Sequence, residues 1–188
     1  MRKAISVVAV LVLASSVALA QQIGFKGVGG GIGYTSVSFS SGASSESLGG
    51  FAISGHAYLG EITSGIGFYP EVLYWHTSKD FGAGVTWSVS DFAINANAHY
   101  NIKVQGSVMP YVGAGLGLNF LSSTVQVAIP FFGTTEVSGS NTRLGINLLG
   151  GADYAVNSKL RIGGELRYVL ASDFNHLLIQ ATFTYALE

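Results

Sequence analysis

The sequence predicts an all-β chain whose eight antiparallel strands close into an up-and-down transmembrane β-barrel. Three observations predict it. Segments of about ten residues alternate large apolar with small or polar side chains, the length and period of a tilted membrane strand. Charged residues make up only 10 % of the chain, against about 25 % in ordinary soluble domains. Yet after the first twenty residues no run is long and apolar enough for a membrane helix. The connections between segments also alternate in length. The longest uncharged stretch, Val104 to Thr135, is broken by Pro110, Gly113, Gly115, Gly117, Asn119 and Pro130. Glycine costs roughly 1 kcal/mol per helix position and proline about 3, and these glycines recur every second residue, a strand period.

Residues 1–20 stand apart from the barrel. Arg2 and Lys3 precede an uncharged run rich in Ala, Val and Leu that ends Ala18-Leu19-Ala20. This is a secretory leader, expected to be cleaved after Ala20 to leave a barrel domain over 21–188. A membrane helix needs roughly 20 apolar residues, and this run is shorter. Cleavage removes two of nine basic residues and none of ten acidic ones, for a formal charge of −3. That balance gives no electrostatic footprint for nucleic acid. The chain has no cysteine, hence neither disulfides nor thiolate metal ligands.

The first strand, about Gly27 to Phe39, is the least regular. Val28, Ile32 and Tyr34 share a parity that Val37 and Phe39 break, and a bulge near Thr35 is expected. The second sets Phe51, Ile53, Gly55, Ala57 and Leu59 against Ala52, Ser54, His56 and Tyr58. The third sets Ile66, Phe68, Pro70, Val72 and Tyr74 against Gly67, Tyr69, Glu71, Leu73 and Trp75. In the fourth, Phe92, Ile94, Ala96, Ala98, Tyr100 and Ile102 oppose Asp91, Ala93, Asn95, Asn97, His99 and Asn101. In the fifth, Val112, Ala114, Leu116, Leu118 and Phe120 oppose Tyr111, three glycines and Asn119. The sixth sets Leu144, Ile146, Leu148 and Tyr154 against Arg143, Asn147, Leu149 and Asp153. The seventh sets Leu160, Ile162, Leu166, Tyr168 and Leu170 against Arg161, Glu165, Arg167 and Val169. The eighth sets Leu177, Ile179, Phe183, Tyr185 and Leu187 against Leu178, Gln180, Thr182 and Thr184. Charges that alternate with large apolar groups fit lipid outside and a polar lumen inside.

Ser40–Gly50, Thr77–Ser90 and Leu121–Thr142 are long loops in this reading. Glu61–Gly65, Lys103–Pro110 and Ala155–Lys159 are short, and Ala171–His176 is a short loop on the long side. Outer-membrane barrels have short periplasmic turns and longer outer loops, which places both termini in the periplasm. Outward aromatics fall in two belts. Phe68, Tyr100, Tyr154 and Tyr185 form one, and Phe51, Tyr74, Phe92, Phe120 and Tyr168 the other, as two lipid–water interfaces require.

Three features together resemble the small eight-stranded outer-membrane β-barrel family, the OmpA transmembrane-domain and OmpX-like group. They are the leader, the run Met109-Pro110-Tyr111-Val112-Gly113-Ala114-Gly115-Leu116-Gly117, and the hairpin from Leu148 to Tyr168. The resemblance covers essentially all of Gln21 to Glu188. It implies a bacterial outer-membrane location and passage through the barrel-assembly machinery. Such barrels usually end on an aromatic residue. Here Leu187 holds that facing, and the aromatic Tyr185 lies two residues earlier. No periplasmic domain is expected after Glu188, and therefore no peptidoglycan-anchoring role.

The expected lumen network comprises Glu71, Asp91, Asp153 and Glu165 against Arg143, Arg161 and Arg167, with His56 and His99. An eight-stranded barrel is just wide enough for its own side chains, and charges there stay ionised only when paired or hydrated. The expectation is a polar plug. The alternative is a narrow gated pore in which Glu71 exchanges between Arg143 and Arg167. No catalytic residue, cofactor or metal is assigned. Ser172, Asp173 and His176 are the right types for a lipid hydrolase, but types without geometry are no site. Gly29-Gly30-Gly31-x-Gly33 lies within a strand pattern, with no helix after it to hold a phosphate. His56, His76, His99 and His176 lack metal-ligand spacing.

The function expected is therefore structural, adhesive or surface-binding, through outer loops that meet an extracellular ligand, with outer-membrane lipids around the wall. Phe131 and Phe132, flanked by Pro130 and Gly133 in the longest loop, are the candidate contact. A soluble lipocalin-like barrel would need a charged outer surface that this chain does not supply.

Overall fold

A computed structural model describes residues 24–41, 44–129, 131, 133–172 and 174–187. The expected leader lies outside the described residues, as do Phe132 and Asp173. The strands are β1 (Gly27–Ser41), β2 (Ser44–Tyr58), β3 (Glu61–Thr63), β4 (Ile66–Gly82), β5 (Val85–Asn101), β6 (Val108–Ile129), β7 (Gly133–Ala155), β8 (Leu160–Ala171) and β9 (Phe174–Ala186). β3 is a three-residue strand that pairs only with the start of β4, through Glu61↔Gly67 and Thr63↔Ile66. The other eight form the wall. Each pairs antiparallel with its chain neighbour, β1 returns to β9, and β2 joins β4, so the sheet closes. Within the closed part of the wall no strand edge is left free among the described residues.

Facing follows the alternation in all eight wall strands. Ile32, Ile53, Ile94, Leu116, Leu144, Leu166 and Ile179 are exposed on the outer surface. Their inward neighbours, among them Ala52, Ala93, Glu165, Arg167 and Gln180, are buried. Both aromatic belts form on the outside, and Phe92 and Phe120, paired across β5 and β6, have ring centroids 6.4 Å apart.

β1 has no bulge. Its register runs unbroken through Thr35↔Gly50, Ser36↔Gly49 and Val37↔Leu48 on one side and Thr35↔Leu178 on the other. Val37 is fully buried instead. The apparent change of parity is a change in what the interior contains. At this level the lumen is apolar, filled by Val37, Ala52, Leu73, Trp75, Val89, Ala93, Phe174 and Leu178.

The long connections are also mostly strand. β4 and β5 continue to Gly82 and Val85, and turn through Ala83 and Gly84, at φ 51° and 76°. β6 and β7 stay paired from Val108↔Tyr154 to Ile129↔Gly133. Strands β4 to β7 thus rise together past the belt as a four-stranded sheet. Beyond Gly145↔Ala171, where pairing with β8 stops, Gly133–Leu144 of β7 forms an open edge among the described residues. On the opposite side β8 and β9 turn back at once, between Ala171 and Phe174. The wall is therefore tall on one side and low on the other. Both ends of the described chain lie at the opposite mouth, where Gly24 N donates to Leu59 O and Leu187 N to Lys26 O.

Candidate functional site

Two regions are candidates: the packed interior and the projecting sheet. The interior is built in three tiers, because inward positions at one height on neighbouring strands must share one small cross-section.

The middle tier centres on Arg167 of β8, which is almost fully buried. Its Nη1 donates to Glu71 Oε2, and its Nη2 to Glu71 Oε1 at 3.0 Å. On the other side Nε and Nη2 donate to Glu165 Oε1 at 3.0 and 2.7 Å. Asn95 and Asn97 donate to Glu71 Oε2 at 3.2 and 3.0 Å. Tyr111 OH donates to Glu165 Oε2 and Gln180 Nε2 to Glu165 Oε1, both at 3.0 Å. Asn147 closes the set by donating to Asn95 and Asn97. Both carboxylates are thus met by a cation and by neutral donors, which makes a buried charge tolerable.

Glycine makes the room. In register Asn97 faces Gly115 and Asn95 faces Gly117. A Cβ on Gly115 would lie 2.1 Å from Asn97 Oδ1, so the amides lie across space a side chain would fill. Tyr111 covers Gly151 in the same way.

Toward the termini lies an aromatic tier. Tyr58, Tyr69, His99 and Tyr111, from β2, β4, β5 and β6, stack in sequence with centroid separations of 4.9, 4.1 and 4.7 Å. His56 meets Tyr69 edge-on and bonds to Thr184 Oγ1 at 3.0 Å. Between this tier and the Arg167 tier is a cavity of about 20 Å³, lined by His99, Asp153 and Thr182 among others, room for about one water molecule.

Toward the hairpins lies the apolar tier. Asp91 is fully buried there, across from Trp75 in register. The Trp75 indole N–H and the Phe120 backbone N–H face the Asp91 carboxylate, while both His176 ring nitrogens form no hydrogen bond among the described residues.

The expected lumen residues therefore separate. Glu71, Glu165 and Arg167 come together, and His99 stacks against their neighbour Tyr111. Asp153 and Arg161 line the terminal mouth with Tyr58, Glu61 and Lys103. Asp91 sits in the apolar tier, outside the network. Arg143 is not a partner of Glu71. It lies higher, where Nη1 donates to Thr142 O at 3.2 Å and the side chain borders a cavity with Trp87, Leu121 and Phe174. Ser172 is exposed while His176 is buried beside Trp75 and Phe174, so these two do not form a hydrolase pair. Missed in the sequence were the Asn95, Asn97, Asn147 and Gln180 amides and the tyrosine stack. Their inward parity was the available signal.

On the projecting sheet Phe131 is fully exposed at the β6–β7 turn, with φ 69°. Phe81, at the neighbouring β4–β5 turn, is also exposed and carries Lys79 Nζ 5.0 Å above its ring.

This architecture has known relatives. The sequence pattern of the outer membrane protein beta-barrel domain matches residues 5–186. The chain belongs to that family. This outer-membrane barrel is also similar in fold to the neisserial surface protein A, at 21 % identity and TM-score 0.57, over 84 % of this chain and 96 % of that one. The attachment invasion locus protein of Yersinia pestis matches at 14 % identity and TM-score 0.52, over 86 % and 99 %. A major outer membrane protein from Thermus thermophilus matches at 12 % identity and TM-score 0.54, over 84 % and 99 %. No curated protein matches the sequence. The chain is thus a bacterial outer-membrane β-barrel, and its residues already show how that barrel is filled.

Proposed function

We propose that this outer-membrane barrel is a structural and surface-binding protein that presents its β4–β7 sheet outside the cell on a closed pedestal. The observation that carries the reading is the contrast between the two ends of the same strands. Inside the belt the lumen is filled by three tiers of side chains. Beyond Phe120, β6 continues for nine residues to Ile129, about 30 Å of strand at 3.4 Å per residue. That length serves no purpose in crossing the membrane, which needs roughly 9–11 residues.

In this reading the leader is removed after Ala20, leaving 21–188. The barrel-assembly machinery inserts the chain, lipids surround the belt, and both termini and the short turns face the periplasm. The long hairpins on one end and short turns on the other support that orientation. The ligand is extracellular, and Phe131 and Phe132 contribute to its contact. The edge of β7 that is open among the described residues offers backbone groups that an extended partner segment can meet. Two of the fold relatives are titled a surface protein and an attachment protein, which agrees with such a role. The hairpin segments carry Glu46, Asp80, Glu136 and Asp173 against Lys79 and Arg143, so a polyanionic ligand is disfavoured. No enzymatic role is assigned.

The test uses intact cells that display the protein. Phe131→Ser/Phe132→Ser is expected to reduce binding to host surfaces while the barrel still inserts. Unchanged binding removes these residues from the contact. Protease is expected to cut within 121–142 from outside, and cleavage only after permeabilisation would reverse the orientation. Altered lipid A mass spectra in expressing cells would reopen the enzymatic reading.

A further inference from the structure

We propose that the far end of the projecting sheet is an apolar foot that enters the interface of a second, zwitterionic lipid bilayer facing the cell. This rests on the surface-binding reading above and names its partner.

The two turns end together. Val85 pairs with Val127, and Ala128 N donates to Gly84 O at 2.8 Å. Phe81 and Phe131 therefore stand at one end of one sheet. Phe131 has a relative exposure of 104 %, as open as in an extended peptide, so it does not fold back on the barrel. Its φ of 69° belongs to a region bulky residues rarely adopt, and it holds the ring at the apex of the turn.

The foot is not an extension of the barrel's own belt. Ser122, Thr124, Gln126, Glu136, Ser138 and Ser140 form a polar band between it and Phe92 and Phe120. An apolar zone beyond such a band meets water unless something else covers it. Its shape favours a membrane over a protein pocket: two rings on convex turns act as wedges, and aromatic rings settle at lipid interfaces. Its charge fits too. The nearest ionic side chains are Asp80 and Glu136, set in one row through Thr86 and Gln126, and Lys79 one row below; their single net negative charge suits zwitterionic rather than anionic headgroups.

The experiment places proteovesicles that carry many copies over a supported phosphatidylcholine bilayer, so that weak contacts add. Only the supported bilayer contains brominated lipid. We expect the vesicles to dock, Phe131→Trp fluorescence to be quenched, and Phe81→Ser/Phe131→Ser to lower docking by about tenfold or more. The heat-shifted gel band shows that each variant is folded. Absent docking, absent quenching, or full docking by the double variant overturns the proposal. The same vesicles are then offered to host cells. Binding to cells without binding to the bare bilayer leaves the surface-binding reading standing and makes the partner a protein. Binding to neither ends both.

Discussion

Arg167 is the residue on which the interior turns, because one guanidinium serves two carboxylates on two strands. Arg167→Met leaves Glu71 and Glu165 buried and facing one another without a cation, at an expected cost of about 3–5 kcal/mol. Urea unfolding in micelles, read from the heat-shifted band, measures it. The triple variant R167M/E71Q/E165Q is expected to recover much of the loss, because it removes the charges together. Asp91 gives the opposite sign. Its carboxylate lies in an apolar tier, met by the Trp75 and Phe120 N–H groups but with no cation beside it among the described residues, so Asp91→Asn, which keeps an acceptor for those donors and removes the buried charge, is expected to stabilise the barrel by about 1–3 kcal/mol in the same assay. A loss of stability would mean that a cation reaches the carboxylate there. The sequence made the inward facing of both residues legible, since parity alone decides it. It did not reveal that one joins a network and the other an apolar layer. That depends on height along tilted strands, which brings Glu71 to Arg167 while Arg143, equally inward, ends beside Trp87 and Phe174.

At the scale of elements, the position of the lipid band sets what each strand segment tolerates. Leu116→Arg, on the outward face of β6 within the band, is expected to cost about 2–4 kcal/mol in lipid vesicles. Ser140→Arg, outward on β7 but past the belt, is expected to cost nearly nothing, and an equal cost at both would misplace the band. The wall strands were readable because large outward residues alternate with small or polar inward ones. The projecting parts were not, and residues 121–142 read as a loop. Ser, Thr and Gly are frequent there, and the apolar Leu121, Val125 and Val127 take the inward parity while Ser122, Thr124 and Gln126 take the outward one, so the lipid-facing pattern of the wall breaks off at Phe120. The pairing Thr124↔Ser138, with a 3.2 Å hydroxyl contact, is what replaces it. The supposed bulge in β1 failed for a related reason: Val37 looked out of phase only because a uniformly polar lumen was assumed. Joining Thr124 to Ser138 through Asn-Gly, a two-residue hairpin turn, is expected to leave the heat-shifted band intact and to abolish surface binding.

The whole molecule is a filled cylinder with one tall side. The aromatic stack, the Arg167 tier and the apolar tier block the lumen in series, so planar bilayers containing the purified protein are expected to show no discrete conductance. Stable single-channel steps would require all three tiers to open together. The tall side also has a mechanical meaning. A pull on the β6–β7 turn does not peel its hydrogen bonds one at a time, because both strands run without a break from the turn into the wall. β6 would have to slide past β5 along everything from Val85↔Val127 to Asn101↔Tyr111, while β7 slides past β8 from Gly145↔Ala171 to Ala155↔Arg161. Both ladders are loaded in shear and must fail at once. A cell tethered through this sheet in flowing liquid would thus lose its grip at the foreign surface before the anchor in its own envelope gave way.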